Sequence, residues 1–327
     1  MFGNDWTAEI RYVGSRGVNL NVQNRLNVQA PVTASNTLPT FLGGCDATCQ
    51  GLQNSTTAAG QLTLAGLESL NPIVPAYDAA GFNQNFIVGF MPFGASSYHG
   101  LQAQLQHRMT KGLYFQGAYT YSHMLDNATA DFFSTVIAPR RPQDFRDLPE
   151  ERGNSVLDHR HRFTMSLVYD TQWFNHSSSW LAKNILGGYE ITPVYIYESG
   201  QWATLQSGQD SNLNLDNAGD RVMFNAAGVG NRGSDVTAIT NQSDDVVGYY
   251  ANDPTARWVR AGVGVFATAR RSVFASPAIN NLDLGVSKGV KLGERVEFRF
   301  GVLAVNVLNH PQYTTGFASQ ADSVSAA

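Results

Sequence analysis

Two consecutive runs of alternating residues, joined by Thr110-Lys111-Gly112, constrain the fold of this chain more than any other feature. Apolar or aromatic side chains occupy one set of alternate positions, and polar or small side chains occupy the other. The first set contains Leu101, Ala103, Leu105, His107, Met109, Leu113, Phe115, Tyr119 and Tyr121, and the second contains Gln102, Gln104, Gln106, Arg108, Gln116, Ala118, Thr120 and Ser122. A period of two predicts a β-hairpin with one apolar face and one wet face. Strands of about ten residues can cross a bilayer when tilted, so the pattern favours a transmembrane β-barrel.

The same alternation recurs along the chain and predicts seven strands in one antiparallel sheet of sequential neighbours. The expected strands are residues 6–13, 99–109, 113–122, 162–170, 188–197, 280–287 and 295–307. Short links at 110–112, 171–186 and 288–294 alternate with long links at 14–97, 123–160 and 199–280. Barrels with short turns on one side of the membrane and long loops on the other have this asymmetry. The predicted fold class is therefore all-β: part of a large antiparallel transmembrane barrel with long extracellular loops.

The two faces of such a wall have different surroundings. We expect Leu105, Phe115, Leu167 and Phe298 to point outward to lipid. The polar positions are expected to line a watery lumen on the concave side. These candidate lumen residues are Gln102, Gln104, Gln106, Arg108, Glu297 and Arg299.

Composition excludes two other classes. The chain has 327 residues, a formal net charge of −4 and 15% charged residues, so no basic field suggests nucleic-acid binding. No window of about 18 uninterrupted apolar residues occurs, which excludes spanning helices. The start, MFGNDWTAEI, has no basic segment followed by an apolar one, so no signal peptide is predicted. Because an outer-membrane protein needs one, we expect the chain to be a fragment.

Short motifs spread over nearly the whole chain resemble one family. They include Tyr12-Val13-Gly14-Ser15-Arg16-Gly17, Tyr98-His99-Gly100-Leu101-Gln102, Asp158-His159-Arg160-His161-Arg162-Phe163, Leu186-Gly187-Gly188-Tyr189-Glu190-Ile191 and Asn306-Val307-Leu308-Asn309-His310-Pro311. In this order they are similar to the C-terminal barrel of TonB-dependent outer-membrane receptors of the Oar-like, acidobacterial type, which carry a carboxypeptidase-regulatory-like domain. The resemblance implies a single partial barrel domain, residues 1–327, without the family's signal peptide, plug, TonB box and last strand.

The resemblance also implies a function and partners. Such receptors take up a scarce solute with energy from the inner membrane, so we expect a place in the outer membrane of a Gram-negative cell. Outer-membrane lipid and a small solute or oligosaccharide would be partners, and the TonB complex would act through the missing N-terminal part. The piece alone is expected to be inactive, with no cofactor and no enzymatic activity. The alternative is a soluble β-rich carbohydrate-binding module that uses the Trp, Tyr and Asn residues of the same loops.

Two loop patterns resemble ligand motifs. Residues 228–233 spell GxGxxG, but Asn225-Ala226-Ala227 precedes them and a polar stretch follows, so a flexible loop is favoured over a dinucleotide site. Asp210, Asn212, Asn214 and Asp216 have the alternate spacing of oxygen ligands in a calcium loop. The tight-turn glycine and closing glutamate of that loop are absent, so a hydrated loop is favoured over a cation site.

A third pattern lies before the fourth predicted strand. His159 and His161 would face one side of a strand, as a metal site requires, but no cysteine or third histidine is near. The favoured interpretation has Asp158 paired with Arg160 or Arg162 at the rim of the barrel. No nucleophile elbow is present, so no catalytic residue is assigned.

Cys45 and Cys49 are the two cysteines of the chain. Their spacing does not match common zinc or redox motifs. In a long external loop, where thiols are oxidised, we expect them to form a local disulfide that stiffens the loop. Glu150 and Glu151 are interpreted as loop charges.

Overall fold

The computed structural model of the protein describes residues 5–128, 141–174, 176–292 and 296–312. Within these ranges most of the regular secondary structure is β-strand. The strands are β1 (Trp6–Arg25), β2 (Thr40–Phe41), β3 (Val88–Thr110), β4 (Leu113–Asp126), β5 (Gly153–Asn154), β6 (His161–Asp170), β7 (Tyr189–Glu198), β8 (Trp202–Ala203), β9 (Met223–Phe224), β10 (Val229–Ser234), β11 (Val236–Thr240), β12 (Val246–Ala251), β13 (Ala256–Val259), β14 (Phe274–Ala275), β15 (Ile279–Leu292) and β16 (Val296–Ala304).

The helices are short. They are α1 (Ala47–Gln53), α2 (Leu64–Glu68) and α3 (Pro75–Ala79), with a 3-10 turn at Leu148–Glu151 and a π-helical turn at Ala182–Leu186. In the described ranges, no helix combines the length and the apolar character needed to cross a membrane.

Seven long strands form one antiparallel sheet, which we call the wall. Its order is β1-β3-β4-β6-β7-β15-β16, and the short strand β5 pairs with the end of β4. Each wall strand therefore lies beside the wall strand that precedes it in the chain. This confirms the predicted fold class, strand set and order. The sheet is open, since β1 and β16 each pair on one side within the described residues.

Strands β1 and β3 are longer than predicted. They contain 20 and 23 residues and remain paired from Trp6↔His107 to Arg25↔Val88, about twice the length that a membrane crossing needs. The first long link is therefore 26–87 instead of 14–97. The pairing is irregular between Gly17 and Val22, where Leu20 pairs with Gly94 and a Cβ on Gly94 would lie 2.7 Å from the Leu20 carbonyl oxygen. We call the paired segments 14–25 and 88–99 the arm.

Strand β15 is also longer than predicted, because its pairing with β16 continues from Leu284↔Ala304 to Leu292↔Val296. The expected link at 288–294 is therefore wrong for residues 288–292. The remaining part of that link lies outside the described residues.

The register assigns every wall residue to one of two faces, because directly paired residues of antiparallel strands point the same way. One row of paired residues is Ala8, Leu105, Gly117, Met165, Tyr195 and Leu282, and another is Leu113, Tyr169, Ile191, Val286 and Val302. The opposite face has rows such as Arg11, Gln102, Thr120, Arg162 and Glu198, or Asp170, Glu190, Ser287 and Gly301. The alternation seen in single strands is thus aligned into one apolar face and one polar face.

The long links fold together into a second part, which we call the loop body: residues 26–87, 127–160 and 199–278, as far as they are described. Three small sheets form within it, with orders β10-β13-β9, β11-β12-β2 and β14-β8. Its largest core cluster contains Val32, Leu38, Leu67, Met223, Tyr249, Ala251, Val259, Ala261, Val265 and Ala267. Among the described residues, Val22 in the arm is the only wall-strand member of the set of fully buried hydrophobic side chains. The hydrophobic core therefore lies in the loops, and the wall has none of its own.

Candidate functional site

The polar face of the wall carries the residues expected to line a lumen. Gln102 and Gln104 of β3 pair with Arg11 and Glu9 of β1. These four side chains, with Thr120 of β4, line a shallow cleft of about 170 Å³. Gln106 and Arg108 continue the same alternate positions toward the turn at Thr110.

Glu297 and Arg299 lie on the same face but are not brought near the glutamines. They belong to β16, and the strands β4, β6, β7 and β15 lie between β3 and β16. Both side chains are exposed, with 3.6 Å between Arg299 Nη2 and Glu297 Oε1. The register thus groups all six residues on one face of one sheet. Their contact with a lumen stays a prediction.

The apolar face has the composition of a surface in contact with lipid. Ile10, Phe300 and Val302 are 75%, 63% and 74% exposed, although a soluble protein would cover such side chains. In β6, Phe163 and Tyr169 lie at either end of an aliphatic stretch, as aromatic side chains do at the two interfaces of a bilayer.

Buried ion pairs join the loop body to the ends of the wall strands. Arg271 in the loop body pairs with Asp126, the last residue of β4, and both side chains are almost fully buried. Arg141 pairs with Asp216 through two guanidinium nitrogens and also donates from Nη1 to Gln23 Oε1 of β1 at 2.8 Å. Breaking a buried ion pair is costly because it leaves an uncompensated charge. These contacts therefore hold the loop body in place at the ends of the wall strands.

Glu151 belongs to this junction and is not a free loop charge, which corrects the sequence interpretation. Its carboxylate is buried, accepts a hydrogen bond from the backbone N–H of Gln143 at 2.9 Å and lies 3.3 Å from Arg221. Burial raises the pKa of Glu151, and the charge of Arg221 opposes that shift. Glu150, next to it, is exposed, as expected. The sequence shows two adjacent acids and gives no signal for which one is buried.

A cleft of about 600 Å³, which we call the Trp202 cleft, lies where β4 enters the loop body. Its lining combines one indole with several charged or amide side chains: Leu125, Pro149, Glu150, Arg152, Gly153, Asn154, Trp202, Arg270, Arg271, Ser272 and Val273. The Trp202 indole donates from Nε1 to Asp158 Oδ2 at 3.1 Å, which fixes the ring in place. The volume lies in the range of ligand pockets. No sequence motif marked this cleft, because its lining comes from four separate stretches of chain.

Asp158 organises the rim of the wall as predicted. It is buried and accepts hydrogen bonds from the Met124 backbone N–H at 2.7 Å and from Arg160 Nη2 at 3.2 Å. Arg162 pairs with Glu198 of β7 instead, at 3.3 Å. The favoured pairing of Asp158 with Arg160 is thus observed.

The two histidines of this stretch make separate contacts. His159 Nδ1 lies 3.0 Å from the Ser199 carbonyl oxygen, and His161 Nδ1 lies 2.8 Å from the Tyr119 hydroxyl. Within the described part of the chain, no group of three or more His, Cys, Asp or Glu side chains is arranged to hold a metal ion.

Cys45 and Cys49 are joined by a disulfide, with their Cα atoms 5.2 Å apart. Asp46 begins helix α1 between them, and its carboxylate accepts the backbone N–H of Cys49 at 2.9 Å. Cys49 is fully buried against Ile239 and Val247 of the loop body. The packing of Cys49 therefore holds α1 against the sheet formed by β11 and β12, and the bridge ties a residue before the helix to its first turn.

The GxGxxG stretch has no dinucleotide geometry. Residues 229–234 form strand β10, which pairs in parallel with β13 and is followed by strand β11 instead of a helix. The sequence interpretation as a flexible loop is also wrong here, because these residues are part of a small sheet.

A wall with one apolar face, one polar face and long loops gathered at one end defines a transmembrane β-barrel protein. The family profile described as "Outer membrane beta barrel domain" matches residues 1–326. The chain belongs to this family and is a protein of the outer membrane. Among solved structures, the outer membrane transporter YddB from Escherichia coli is similar with a TM-score of 0.40 and 8% identity, over 95% of this chain and 27% of that one. The chain thus spans about a quarter of that protein's length. The comparison with curated proteins gives no match.

Proposed function

We propose that this chain forms part of the wall of a TonB-dependent receptor of the Oar-like type, which binds a scarce solute at its external loops and admits it through the lumen. The observation that carries the proposal is the folded loop body with its Trp202 cleft. Loops with a buried core hold their side chains in fixed positions, and binding residues are often found on loops that a rigid scaffold positions. The family membership places this body on the outer membrane and argues against the soluble alternative.

The lining of the Trp202 cleft favours a polyhydroxylated solute such as an oligosaccharide. The Trp202 ring offers an apolar face, and Arg152, Arg270 and Asn154 offer hydrogen-bond donors around it. A pocket with an aromatic wall and a few polar groups binds ligands that have both kinds of surface.

The open edges of the wall support a larger assembly. Within the described residues, β1 and β16 each pair on one side, and backbone groups left unpaired on the other side would be unsatisfied in lipid, so further strands are needed to complete the barrel. We place the contact with the TonB complex in parts of the receptor outside this chain. The chain by itself is then a binding surface and a piece of wall, with no transport activity.

Binding of a panel of fluorescent pentasaccharides to the full chain, folded into detergent micelles, tests the proposal. We expect at least one pentasaccharide to bind, and Arg270→Ala to weaken that binding about tenfold or more, which corresponds to about 1.4 kcal/mol. Arg16→Ala, an exposed arginine of the arm outside the cleft, is the matched control and should leave binding unchanged. The absence of any binding, or equal binding by the Arg270→Ala and Arg16→Ala variants, would contradict the proposal.

A further inference from the structure

The segment from Asp210 to Asp220 forms a turn that belongs to the loop body. Leu213 and Leu215 both have positive φ, at 60° and 63°. Asn212 Nδ2 donates to the Gln143 carbonyl oxygen at 2.9 Å, so the turn is packed against the stretch that holds the junction ion pairs. One acid of the turn, Asp216, is neutralised by Arg141.

The two acids at the ends of the segment have no such partner. Asp220 is fully buried, and its Oδ2 accepts the backbone N–H groups of Ser211 at 2.5 Å and Asn212 at 3.3 Å. Asp210 accepts the backbone N–H groups of Asn214 at 3.0 Å and of Leu215 at 2.7 Å, one on each carboxylate oxygen. Among the described residues, no lysine, arginine or histidine forms an ion pair with either carboxylate. Burial raises the pKa of Asp220 well above its usual value, and the nearby charge of Asp210 adds to this shift.

Three buried side-chain oxygens in the same segment lack a hydrogen-bond partner. They are Asp220 Oδ1, Ser211 Oγ and Asn214 Oδ1, and the residues Asp220 and Ser211 are 0% and 1% exposed. A carboxylate oxygen and an amide oxygen only accept hydrogen bonds, so neither can satisfy the other. A buried acceptor without a partner is costly, and a buried charge without one costs more. A bound cation would remove both costs.

We propose that this segment binds a calcium ion through the carboxylates of Asp210 and Asp220, with Ser211 Oγ and Asn214 Oδ1 as further ligands. Calcium takes six to eight oxygen ligands in flexible geometry and accepts neutral oxygens beside carboxylates. Magnesium demands a near-octahedral shell and usually keeps several waters, so it fits a buried donor set less well. The donor set has no thiolate or imidazole, which disfavours zinc. The ion would fasten this segment within the loop body and, through the contact of Asn212 with the Gln143 carbonyl oxygen, hold the stretch at Gln143 in place.

Calcium titration of the full chain, folded into detergent micelles and stripped with EDTA, tests this inference. Isothermal calorimetry should show one calcium site with a Kd on the order of 10⁻⁴ to 10⁻³ M, as in extracellular modules. The melting temperature of the wild-type protein should rise with calcium, because an ion that binds only the folded state stabilises it. Magnesium at the same concentration should have a much smaller effect.

Variants separate calcium binding from a structural role of the acids. Asp220→Asn and Asp210→Asn should each weaken calcium binding by about tenfold or more, since the charge of the ligand set tunes affinity. In EDTA, Asp220→Asn should melt at or above the wild-type temperature, because it removes an uncompensated buried charge. Asp147→Asn, an exposed acid of the same loop body, is the charge-matched control and should bind calcium as the wild type does.

Two results would overturn the inference. One is a wild-type protein whose melting temperature and calorimetric signal do not respond to calcium, which would mean that a proton on Asp220 neutralises the segment. The other is a calcium response that survives in both Asp220→Asn and Asp210→Asn.

Trypsin gives an independent measurement, because cleavage after Arg221 should be slower in calcium than in EDTA for the wild type alone.

Discussion

Arg271 and Asp126 illustrate how single buried side chains hold the loops on the wall. Replacing Arg271 with Ala would remove a buried guanidinium from the buried Asp126 carboxylate, so we expect a loss of about 3–5 kcal/mol in the free energy of unfolding. Arg232, which pairs with Asp253 on the surface, is the control: Arg232→Ala should leave stability nearly unchanged. Urea unfolding of the chain in micelles, followed by tryptophan fluorescence, measures both. Similar losses for the two variants would show that the buried pair has no special role.

Tyr249 gives the loop body a dependence on alkaline pH. Burial raises its pKa to about 12, and its hydroxyl donates to the Val263 carbonyl oxygen at 2.9 Å. In the unfolded chain the phenol ionises near pH 10, so its contribution is fully present below pH 10 and is lost as pH rises toward 12. We expect stability to fall less between pH 9 and 11 in Tyr249→Phe than in the wild type. If the free energies of unfolding of the wild type and of Tyr249→Phe, measured by chemical unfolding, change with pH in the same way, the assignment to Tyr249 is wrong.

Contacts between side chains that are far apart in the sequence are the part of the site that the sequence could not predict. Asp158 could be assigned an arginine partner because Arg160 is two residues away. Glu151 and Asp126 find their partners 70 and 145 residues away, respectively, within a loop packing that no local pattern encodes. The acids of the 210–220 segment were visible as a spacing, but the burial of Asp220 was not.

Strand positions were more predictable than strand ends. Alternation located all seven wall strands because each has one face in an apolar environment and one in a polar environment. It failed for the arm, where β1 and β3 leave the apolar band and continue as a paired ribbon. The pattern there fades at Gly14 and Gly17, while the backbone hydrogen bonds between the strands persist.

Gly200, just after β7, lies where the chain passes from a wall strand into the loop body, and a substitution there tests how closely the backbone is packed. A Cβ at Gly200 would collide with the backbone carbonyl oxygen of Ser276, at the return of the chain into β15. We therefore expect Gly200→Ala to destabilise the protein by about 1–3 kcal/mol, the usual cost of overpacking. At Gly43 a Cβ meets no atom within 4 Å, so Gly43→Ala should change stability by about 0.5 kcal/mol or less. Equal stabilities in urea unfolding would show that the crossing at Gly200 is loose.

The apolar side chains of the whole protein lie in two different environments. The loop body buries its hydrophobic side chains in a protein core, as a soluble domain does. The wall exposes a continuous apolar face across seven strands, which is stable only in lipid. This division explains why the overall composition is unremarkable although part of the chain crosses a membrane.

The lipid contact of the wall can be measured directly with two arginine substitutions at neighbouring positions of β3. Leu105 lies on the apolar face and Gln104 on the polar face, at the same depth. In a full-length receptor that contains this wall, the free energy of folding into lipid vesicles should fall by about 2–4 kcal/mol for Leu105→Arg, the cost of an arginine near the bilayer midplane, and change little for Gln104→Arg. Equal costs for the two variants, or a larger cost at Gln104, would contradict the assignment of the apolar face to lipid.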